Sequence, residues 1–187
     1  MYEKGGFTMK IVAIVGSLRK ESYNLKIAKF VKDRYKDKLE IEILLPDLPI
    51  FNEDIEKDPP VEVMNFKEKI KNAQGVLIVT PEYNHSIPGG LKNALDWCSR
   101  VDRVLAKKPV FIIGASNGNV GTARSQMDIR TVLNSPGLNA YVLPSNLVLI
   151  PNVQDLFNEN EEFIDERTIK YLDKVVDNFI DWRMKMS

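Results

Sequence analysis

The run Lys10-Ile-Val-Ala-Ile-Val15, which Gly16-Ser17 follows directly, decides the fold of this chain. It is β-branched and continuously apolar, which is typical of a strand that is covered on both faces of its sheet. Two later runs, Gly75-Val-Leu-Ile-Val-Thr80 and Pro109-Val-Phe-Ile-Ile113, have the same character and also end at a Pro or a Gly. These three runs therefore predict the buried centre of a parallel sheet.

Two further runs, Leu39–Leu44 and Ala140–Leu143, predict additional strands, and the first alternates apolar residues with Glu as an edge strand does. Five helical patterns with apolar residues three and four apart lie at about 24–35, 61–72, 90–100, 122–133 and 161–184. This alternation predicts an α/β fold, a three-layer α/β/α sandwich around a five-stranded parallel sheet. Right-handed crossovers favour the flavodoxin-like strand order 2-1-3-4-5, in which ligands bind beyond the carboxyl ends of the strands.

Composition excludes several kinds of site. The 187 residues include one Cys and one His, so an internal disulfide, a thiolate cluster and a multi-His metal site are all excluded, and we expect no metal. The 26 basic and 26 acidic residues cancel, so we expect neither nucleic acid nor a membrane surface as a partner.

The length suits one domain, predicted over residues 9–187. Residues 1–8 are expected to be an extension outside the fold, either disordered or left from a start upstream of Met9. A single thiol favours reducing conditions, and we expect a cytoplasmic location.

A polar loop, Gly16-Ser-Leu-Arg-Lys-Glu-Ser-Tyr-Asn24, connects the first strand to the first helix. Free N–H groups and the positive end of the dipole at a helix N-terminus favour a phosphate, to which hydroxyls donate hydrogen bonds and Arg19 adds charge. The loop lacks both the Gly-Lys-Ser/Thr ending of a Walker loop and the three spaced glycines of a dinucleotide fingerprint. It predicts a phosphate site of another kind. The alternative is that Ser22 is only a helix N-cap.

A second loop follows the third strand and is rich in residues that restrict or permit unusual backbone conformations. Pro81, Pro88, Gly89 and Gly90 hold its backbone in a set geometry, so we expect the N–H and C=O groups of residues 82–85 to face the crevice. Such a peptide edge can hydrogen-bond a flat heterocycle while Tyr83 packs against a ring.

Together the two loops resemble the NADPH-dependent FMN reductase family. The resemblance rests on Gly-Ser-Leu-Arg-Lys-x-Ser-x-Asn after the first strand and on Pro-Glu-Tyr-Asn-x-Ser-x-Pro-Gly-x-Leu-Lys-Asn-x-x-Asp-Trp after the third, within about residues 10–180. It implies non-covalently bound FMN, with NADPH or NADH as co-substrate. The implied phosphate-binding residues are Ser17, Arg19, Ser22, Tyr23 and Asn24, and those along the isoalloxazine ring are Pro81, Glu82, Tyr83 and Asn84.

A third loop, Ala115-Ser-Asn-Gly-Asn-Val-Gly-Thr-Ala-Arg124, follows the fourth strand and has the small residues that let a backbone approach a flat ring. By similarity to the family, Ser116, Asn117 and Gly118 lie at the flavin edge. Arg124 is open to two interpretations, facing either the substrate or a neighbouring subunit. His85 is included among the cofactor-binding residues, where it tunes substrate access or caps its loop.

The resemblance also implies a homodimer or homotetramer, assembled through the helices near Leu91–Arg100 and Thr122–Leu133. Trp97 lies at the margin of its helix's apolar stripe, so we expect it at the subunit interface, with the core as the alternative. Cys98 falls on the apolar face of the same helix and is expected to be a buried structural thiol.

The implied activity is that of an NAD(P)H-dependent FMN reductase of the quinone or azo reductase type. Hydride would pass from NAD(P)H to the flavin and then to a quinone, an azo compound, a metal oxyanion such as chromate, or free flavin, with ping-pong kinetics. No side chain is assigned as catalytic. Two alternatives without NAD(P)H turnover remain, a flavodoxin-like electron carrier and a redox-sensing interaction module. Candidate partners for a 2′-phosphate are Arg100, Arg103, Lys107, Lys108 and Arg124.

Overall fold

The computed structural model describes residues 8–186. Its strands are β1 (Met9–Val15), β2 (Leu39–Leu44), β3 (Gly75–Thr80), β4 (Pro109–Ala115), β5 (Tyr141–Val142) and β6 (Val148–Ile150). Its α-helices are α1 (Tyr23–Arg34), α2 (Val61–Asn72), α3 (Gly89–Cys98), α4 (Ala123–Leu133) and α5 (Glu166–Met184). The predicted N-terminal extension, apart from Thr8, lies outside the described residues.

The strands form one parallel sheet in the order β2-β1-β3-β4-β5. The predicted fold class and strand order are therefore confirmed. In the centre of the sheet, Ile14 is in register with Leu44 on one side and with Ile78 on the other. The carboxyl ends of β1, β3 and β4 consequently lie next to one another, and the loops that leave these ends start from neighbouring positions.

The fifth position in the sheet is occupied by two short strands instead of the single predicted one. β4 pairs with β5 at Pro109 and Val110, and with β6 from Ile113 to Ala115, both in parallel. The interruption falls at Pro144, which has no N–H to donate to the ladder, and at Ser145, whose φ of 58° turns the chain away from the extended conformation. The sheet thus has six strands within the described part of the chain.

Helices cover both faces of the sheet. On one face, Ile11 and Ala13 of β1 pack with apolar residues of α1 and α5. On the other face, Val12 and Ile14 pack with apolar residues of α2, α3 and α4. The alternation of side chains along β1 therefore places its residues in two separate cores, which is why the run Lys10–Val15 is apolar without a break.

The last helix begins later than its sequence pattern predicts, at Glu166 instead of near Glu161. Two features hold the intervening chain in another conformation. Phe157 and Phe163 form an antiparallel bridge, and the carboxylate of Asp165 accepts a hydrogen bond from the amide of Thr168 at 2.9 Å. Asp165 is therefore the N-cap, which fixes the first turn of α5 immediately after it.

Trp97 is a core residue of its own chain, so its prediction as an interface residue is wrong. Its side chain is 1 % exposed, its Nε1 donates a hydrogen bond to the carbonyl oxygen of Pro49 at 2.8 Å, and its ring packs edge-on against Phe51. The segment after β2 covers the part of the apolar stripe that the helix pattern leaves unexplained. Cys98 is buried as predicted, and burial raises the pKa of its thiol to about 12.

Within residues 8–186, none of the helices combines the length and the apolar character that crossing a lipid bilayer requires.

Candidate active site

The three loops predicted to form the site come together at the carboxyl edge of the sheet. They enclose a cavity of about 140 Å³. Its lining residues are Ser17, Arg19, Ser22, Tyr23, Asn24, Pro81, Glu82, Tyr83, Ala115, Ser116 and Asn117. Of the predicted site residues, only Asn84, His85 and Gly118 lie outside this lining. Because the cavity is small, it suits a phosphate and its immediate surroundings more than a whole nucleotide.

A second cavity of about 380 Å³ adjoins the first, and Arg19 and Tyr83 line both. Its other lining residues are Gly16, Leu18, Pro88, Gly89 and Gly90, which were not predicted as site residues. The Pro-Gly-Gly sequence at the start of α3 was a signal for three of them, since its two glycines leave part of the wall without side chains. The second cavity lies in the size range of sites that hold a planar ring system.

The wall of the first cavity at the start of α1 carries hydrogen-bond donors. Ser17 and Ser22 are both buried, and Ser22 Oγ accepts from the amide of Leu25 at 3.4 Å, so Ser22 is indeed the N-cap. Its hydroxyl hydrogen still has a free direction in which to donate. The amides of Tyr23 and Asn24 belong to the first turn of the helix, where intrahelical acceptors are missing. This set of donors fits an anionic group with several oxygen atoms.

Asn24 has its side chain engaged in the scaffold. Its Nδ2 donates to the carbonyl oxygen of Ala115 at 2.9 Å, and its Oδ1 accepts from the amide of Ala115 at 3.1 Å. This reciprocal pair joins the first turn of α1 to the end of β4 across 91 positions of sequence. Asn24 thus holds the first loop against the third, and only its backbone amide is left for a ligand.

The second loop forms a tight hairpin, which changes what its backbone can offer. The amide and carbonyl of Tyr83 are both hydrogen-bonded to those of Ser86, each at 3.0 Å. The two residues between them, Asn84 and His85, have φ values of 50° and 66°, as type I′ hairpin turns require. The expectation that every backbone group of residues 82–85 faces the crevice is therefore wrong, because the hairpin uses those of Tyr83 itself.

The side chain of Tyr83 spans the gap between the first and second loops. Its hydroxyl lies 3.3 Å from Ser17 Oγ, while 44 % of the residue is exposed. The ring is thus fixed at its hydroxyl end and exposed along its length. A ring held in this way offers an aromatic surface to a flat ligand at the boundary between the two cavities.

Glu82 caps α4 from a distant part of the chain. Its carboxylate accepts hydrogen bonds from the amides of Arg124 and Ser125, at 3.0 and 3.2 Å, and from Arg124 Nη1 at 3.0 Å. Burial opposes ionisation of Glu82, but the hydrogen bonds from Arg124 and Ser125 outweigh it and hold the pKa of this carboxyl below its ordinary value. Glu82 therefore links the second loop to the helix that follows the third.

Glu82→Gln is expected to lower the free energy of unfolding at pH 7 by about 2 kcal/mol, because charge-assisted hydrogen bonds to two helix amides are lost. For a chain of this size the melting temperature should fall by about 4–8 °C. Because the folded-state pKa is depressed, this stabilisation is complete above the ordinary pKa of 4.5 and disappears as the pH falls through the folded-state value.

The two proteins should therefore differ in thermal unfolding at pH 7 and converge in acid. The matched control is Glu62→Gln, which changes an exposed glutamate in the first turn of α2. Equal melting temperatures for Glu82→Gln and the wild type at pH 7 would contradict the capping role.

The five candidate partners of a 2′-phosphate lie at two different edges of the sheet. Arg100, Arg103, Lys107 and Lys108 lie between the end of α3 and the start of β4, at the edge of the sheet opposite to the cavities. Three of them bind other groups, since Arg100 pairs with Glu56 at 2.7 Å, Arg103 Nε donates to the carbonyl of Gly137 at 3.0 Å, and Lys108 Nζ donates to the carbonyl of Ala73. Arg124 alone of the five lies at the carboxyl edge, where it is paired with Glu82.

The hydrogen-bond donors and the two cavities of this site can be compared with what FMN requires. A phosphate needs several hydrogen-bond donors and positive potential, which the hydroxyls of Ser17 and Ser22, the start of α1 and Arg19 provide. An isoalloxazine ring needs a flat space beside an aromatic side chain, which the second cavity provides between Tyr83 and Gly89–Gly90. The residues present therefore fit FMN. Within residues 8–186, no group of three or more His, Cys, Asp or Glu side chains is arranged to hold a metal ion.

Comparison with known proteins gives the same assignment. Residues 9–155 match the NADPH-dependent FMN reductase family. The chain is 40 % identical over 178 residues to NADH-dependent flavin reductase subunit 2 of Lactobacillus johnsonii, with 92 % of this chain and 96 % of that protein covered. It is 38 % identical over 170 residues to a quinone reductase of Escherichia coli K12, with 88 % and 89 % covered.

A solved structure is similar over nearly the whole chain. FerB, a flavoenzyme NAD(P)H:(acceptor) oxidoreductase from Paracoccus denitrificans, is 34 % identical and superposes with a TM-score of 0.86, covering 95 % of this chain and 98 % of its own. The family match extends from the first residue of β1 to the segment after β6, so it includes all three loops of the site. The chain therefore belongs to the NADPH-dependent FMN reductase family, a family of oxidoreductases that use FMN and a nicotinamide nucleotide.

Proposed function

We propose that the chain binds FMN and catalyses its reduction by NADH or NADPH, and that an aromatic acceptor, foremost a quinone or free flavin, is then reduced at the same site. The observation that carries this proposal is that two cavities share Arg19 and Tyr83. The first is lined by hydrogen-bond donors suited to a phosphate, and the second is lined by Tyr83 and by Pro88, Gly89 and Gly90. Azo compounds and metal oxyanions are further acceptors of the same kind of open site. When bound, FMN supplies the redox chemistry, accepting a hydride from NAD(P)H and passing the reducing equivalents to the acceptor.

The residues of the chain bind and orient the cofactor. Ser17, Ser22 and the first amides of α1 hold the phosphate, and Arg19 adds charge at the boundary between the two cavities. Tyr83 fixes the position of the ring, while Gly89 and Gly90 leave one wall free of side chains. Asn24 and Glu82 act indirectly, because their hydrogen bonds hold the loops that carry these groups against β4 and α4.

One exposed ring face serves both substrates in this proposal, which leads to ping-pong kinetics. The second cavity, about 380 Å³, is lined on one side by Tyr83 and on the other by backbone of the Pro88–Gly90 segment. These residues would hold the ring system of FMN, and we propose that the site accommodates one planar substrate at a time beside it. We also propose that copies of the chain assemble through α3 and α4, and that the protein works in the cytoplasm.

The test is an absorption spectrum of the purified protein followed by anaerobic titration with NADH and with NADPH. Bound FMN should give the flavin bands, and stoichiometric NAD(P)H should bleach them within the mixing time. Reoxidation by an added quinone, with parallel double-reciprocal plots in the steady state, completes the expected result. A flavin that stays yellow with both nucleotides would instead identify an electron carrier, and a protein that takes up no FMN would refute the proposal.

A further inference from the structure

The third loop contains the pair Asn117-Gly118, and Asn117 is the one asparagine of the 187 residues that Gly follows directly. The backbone nitrogen of the following residue can attack the side-chain carbonyl carbon of an asparagine, and this reaction makes asparagine a thermolabile residue. A side chain on the following residue shields that nitrogen, whereas glycine has no Cβ. Asn117 is therefore the asparagine at which the next residue opposes this reaction least.

Both reacting groups of the pair are free in the folded chain. Asn117 and Gly118 are exposed. Among residues 8–186, no group forms a hydrogen bond with the side chain of Asn117 or with the amide N–H of Gly118. Apart from its neighbours in sequence, a methyl group on Gly118 would meet no heavy atom of this part of the chain within 4 Å. The two groups can therefore approach each other without breaking a contact of the fold.

The loop is nevertheless held on both sides of Asn117. The amide of Ser116 donates to the carbonyl oxygen of Ile150 at 3.0 Å, and the amide of Asn152 donates to the carbonyl oxygen of Gly118 at 3.3 Å. Asn117 lines the small cavity together with the proposed phosphate donors of the first loop. These hydrogen bonds keep residue 117 at the cavity wall, but neither of them uses the atoms that react.

We propose that Asn117-Gly118 is a site of spontaneous deamidation and that the deamidated chain binds FMN more weakly. The nitrogen of Gly118 forms a bond to Cγ of Asn117, the bond from Cγ to Nδ2 breaks, and ammonia leaves with the proton of the Gly118 N–H group. Water then opens the resulting cyclic imide at either of its carbonyl carbons, which gives aspartate or isoaspartate. Overall the chain takes up water and loses ammonia, and no group is oxidised or reduced.

Deamidation changes the charge of the cavity wall. It replaces the neutral amide of Asn117, whose Nδ2 can donate to an anion, by a carboxylate that is negative at neutral pH. The carboxylate opposes the positive potential that Arg19 and the start of α1 supply, so the affinity for a phosphate should fall by about tenfold. This effect rests on the proposed function, in which the cavity holds the phosphate of FMN. An occupied cavity also confines the side chain of Asn117, so bound FMN should slow the reaction.

The first test follows deamidation in apoprotein and in FMN-saturated protein, incubated in mildly alkaline buffer well below the melting temperature. Peptide mass spectrometry locates the exchange of an amide for a carboxyl group, and protein isoaspartate methyltransferase measures isoaspartate. We expect both changes at Asn117 and neither at Asn119, which is also exposed but precedes Val120. If the bound form does not react, free FMN at about ten times its dissociation constant slows the reaction about tenfold. Gly118→Ala should suppress it in both samples.

The second test measures the effect on FMN binding with freshly prepared variants. Asn117→Asp carries the charge of the deamidated chain, and fluorescence titration of its apoprotein should give a dissociation constant for FMN about tenfold higher than that of the wild type. The matched control is Asn119→Asp, which adds the same charge in the same loop but outside the lining of both cavities. Its dissociation constant should stay within about threefold of the wild type. Aged wild-type apoprotein should lose affinity in proportion to its deamidated fraction.

The outcomes distinguish this inference from the proposed function. If Asn117 in the apoprotein gains no carboxyl group while a synthetic peptide of residues 114–121 deamidates under the same conditions, the modification site is refuted. If Asn117 deamidates but Asn117→Asp binds FMN no more weakly than Asn119→Asp, the effect on the cofactor is overturned. If the wild-type chain takes up no FMN, the proposed function fails and the effect on FMN fails with it, whereas deamidation at Asn117 is still measured without flavin.

Discussion

An Arg19→Ala, Ser22→Ala double variant is expected to lose FMN during gel filtration under conditions in which the wild-type chain retains it. Both residues line the small cavity at the start of α1. Hydrogen bonds to a charged group contribute about 1.5–3 kcal/mol each, so the loss of two corresponds to an affinity lower by about 100-fold or more. The dissociation constant follows from fluorescence titration of the apoprotein with FMN.

This variant needs a control because Ser22 is also the N-cap of α1. Removing a cap costs about 1 kcal/mol of stability, so weaker binding could follow from a frayed helix. Ser22→Asp resolves the two effects, since Asp is an equally good N-cap but places a carboxylate beside the phosphate. It should melt like the wild type and still fail to bind FMN.

Lys20→Ala provides the matched charge control, because Lys20 neighbours Arg19 in the sequence but lies outside the lining of both cavities. Its FMN affinity should stay within about threefold of wild type, as for a screened surface charge. If the double variant and Ser22→Asp both retain FMN as the wild type does, the phosphate is bound elsewhere, and the assignment of the first loop fails.

Gly114→Ala is expected to give the largest loss of stability of any single methyl group added to this site. Gly114 lies near the end of β4, and a Cβ there would stand 1.6 Å from Thr122 Oγ1 and 2.8 Å from Gln126 Nε2. Both neighbours are buried, so neither can move into solvent. Overpacking of this severity costs about 3 kcal/mol or more, which lowers the melting temperature by about 6–12 °C.

Two companion variants make the interpretation specific. Gly118→Ala adds the same methyl group in the same loop region, where no heavy atom of the described chain lies within 4 Å, and it should melt within about 2 °C of the wild type. Gly114→Ala combined with Thr122→Gly removes the clashing side chain. Since Thr122 has a φ of 71°, Gly suits that position and part of the stability should return.

The melting temperatures of the three variants, measured by differential scanning calorimetry, test this prediction. If Gly114→Ala melts together with Gly118→Ala, the close contact between β4 and the start of α4 does not exist in solution. If Gly114→Ala fails to fold, the double variant still reports whether Thr122 is the cause, because it alone removes the nearest atoms.

Patterns in the sequence, together with the rule that crossovers are right-handed, were sufficient to predict the order of the strands and their parallel direction. Lys10–Val15, Gly75–Thr80 and Pro109–Ile113 are apolar without a break because the strands they form are covered on both faces, and this property is visible in each run by itself. The positions of the polar loops were equally visible, since a strand that ends in Gly or Pro must be followed by a turn. Parallel topology then brings these loops to one edge.

The sequence could not show which polar side chains face a ligand and which hold the scaffold. Asn24 and Glu82 look like ligand-binding residues in their motifs, yet Asn24 binds Ala115, 91 positions away, and Glu82 binds the start of α4, 42 positions away. Trp97 looks like an interface residue because the segment that covers it, residues 45–52 after β2, has no periodicity in its sequence. Sequence patterns report the environment of a residue through its near neighbours.

The sequence by itself thus determined a parallel α/β fold, the edge of the sheet that carries the candidate site and the polar loop that is predicted to bind a phosphate. Only the tertiary structure decided that β5 and β6 share one position, that the hairpin uses the backbone of Tyr83, and that the side chain of Asn93 binds the backbone of the segment after β2. The physical reason is the same in each case. These features depend on hydrogen bonds and contacts between segments that meet only when the chain is folded, and nothing in the local spacing of residues encodes them.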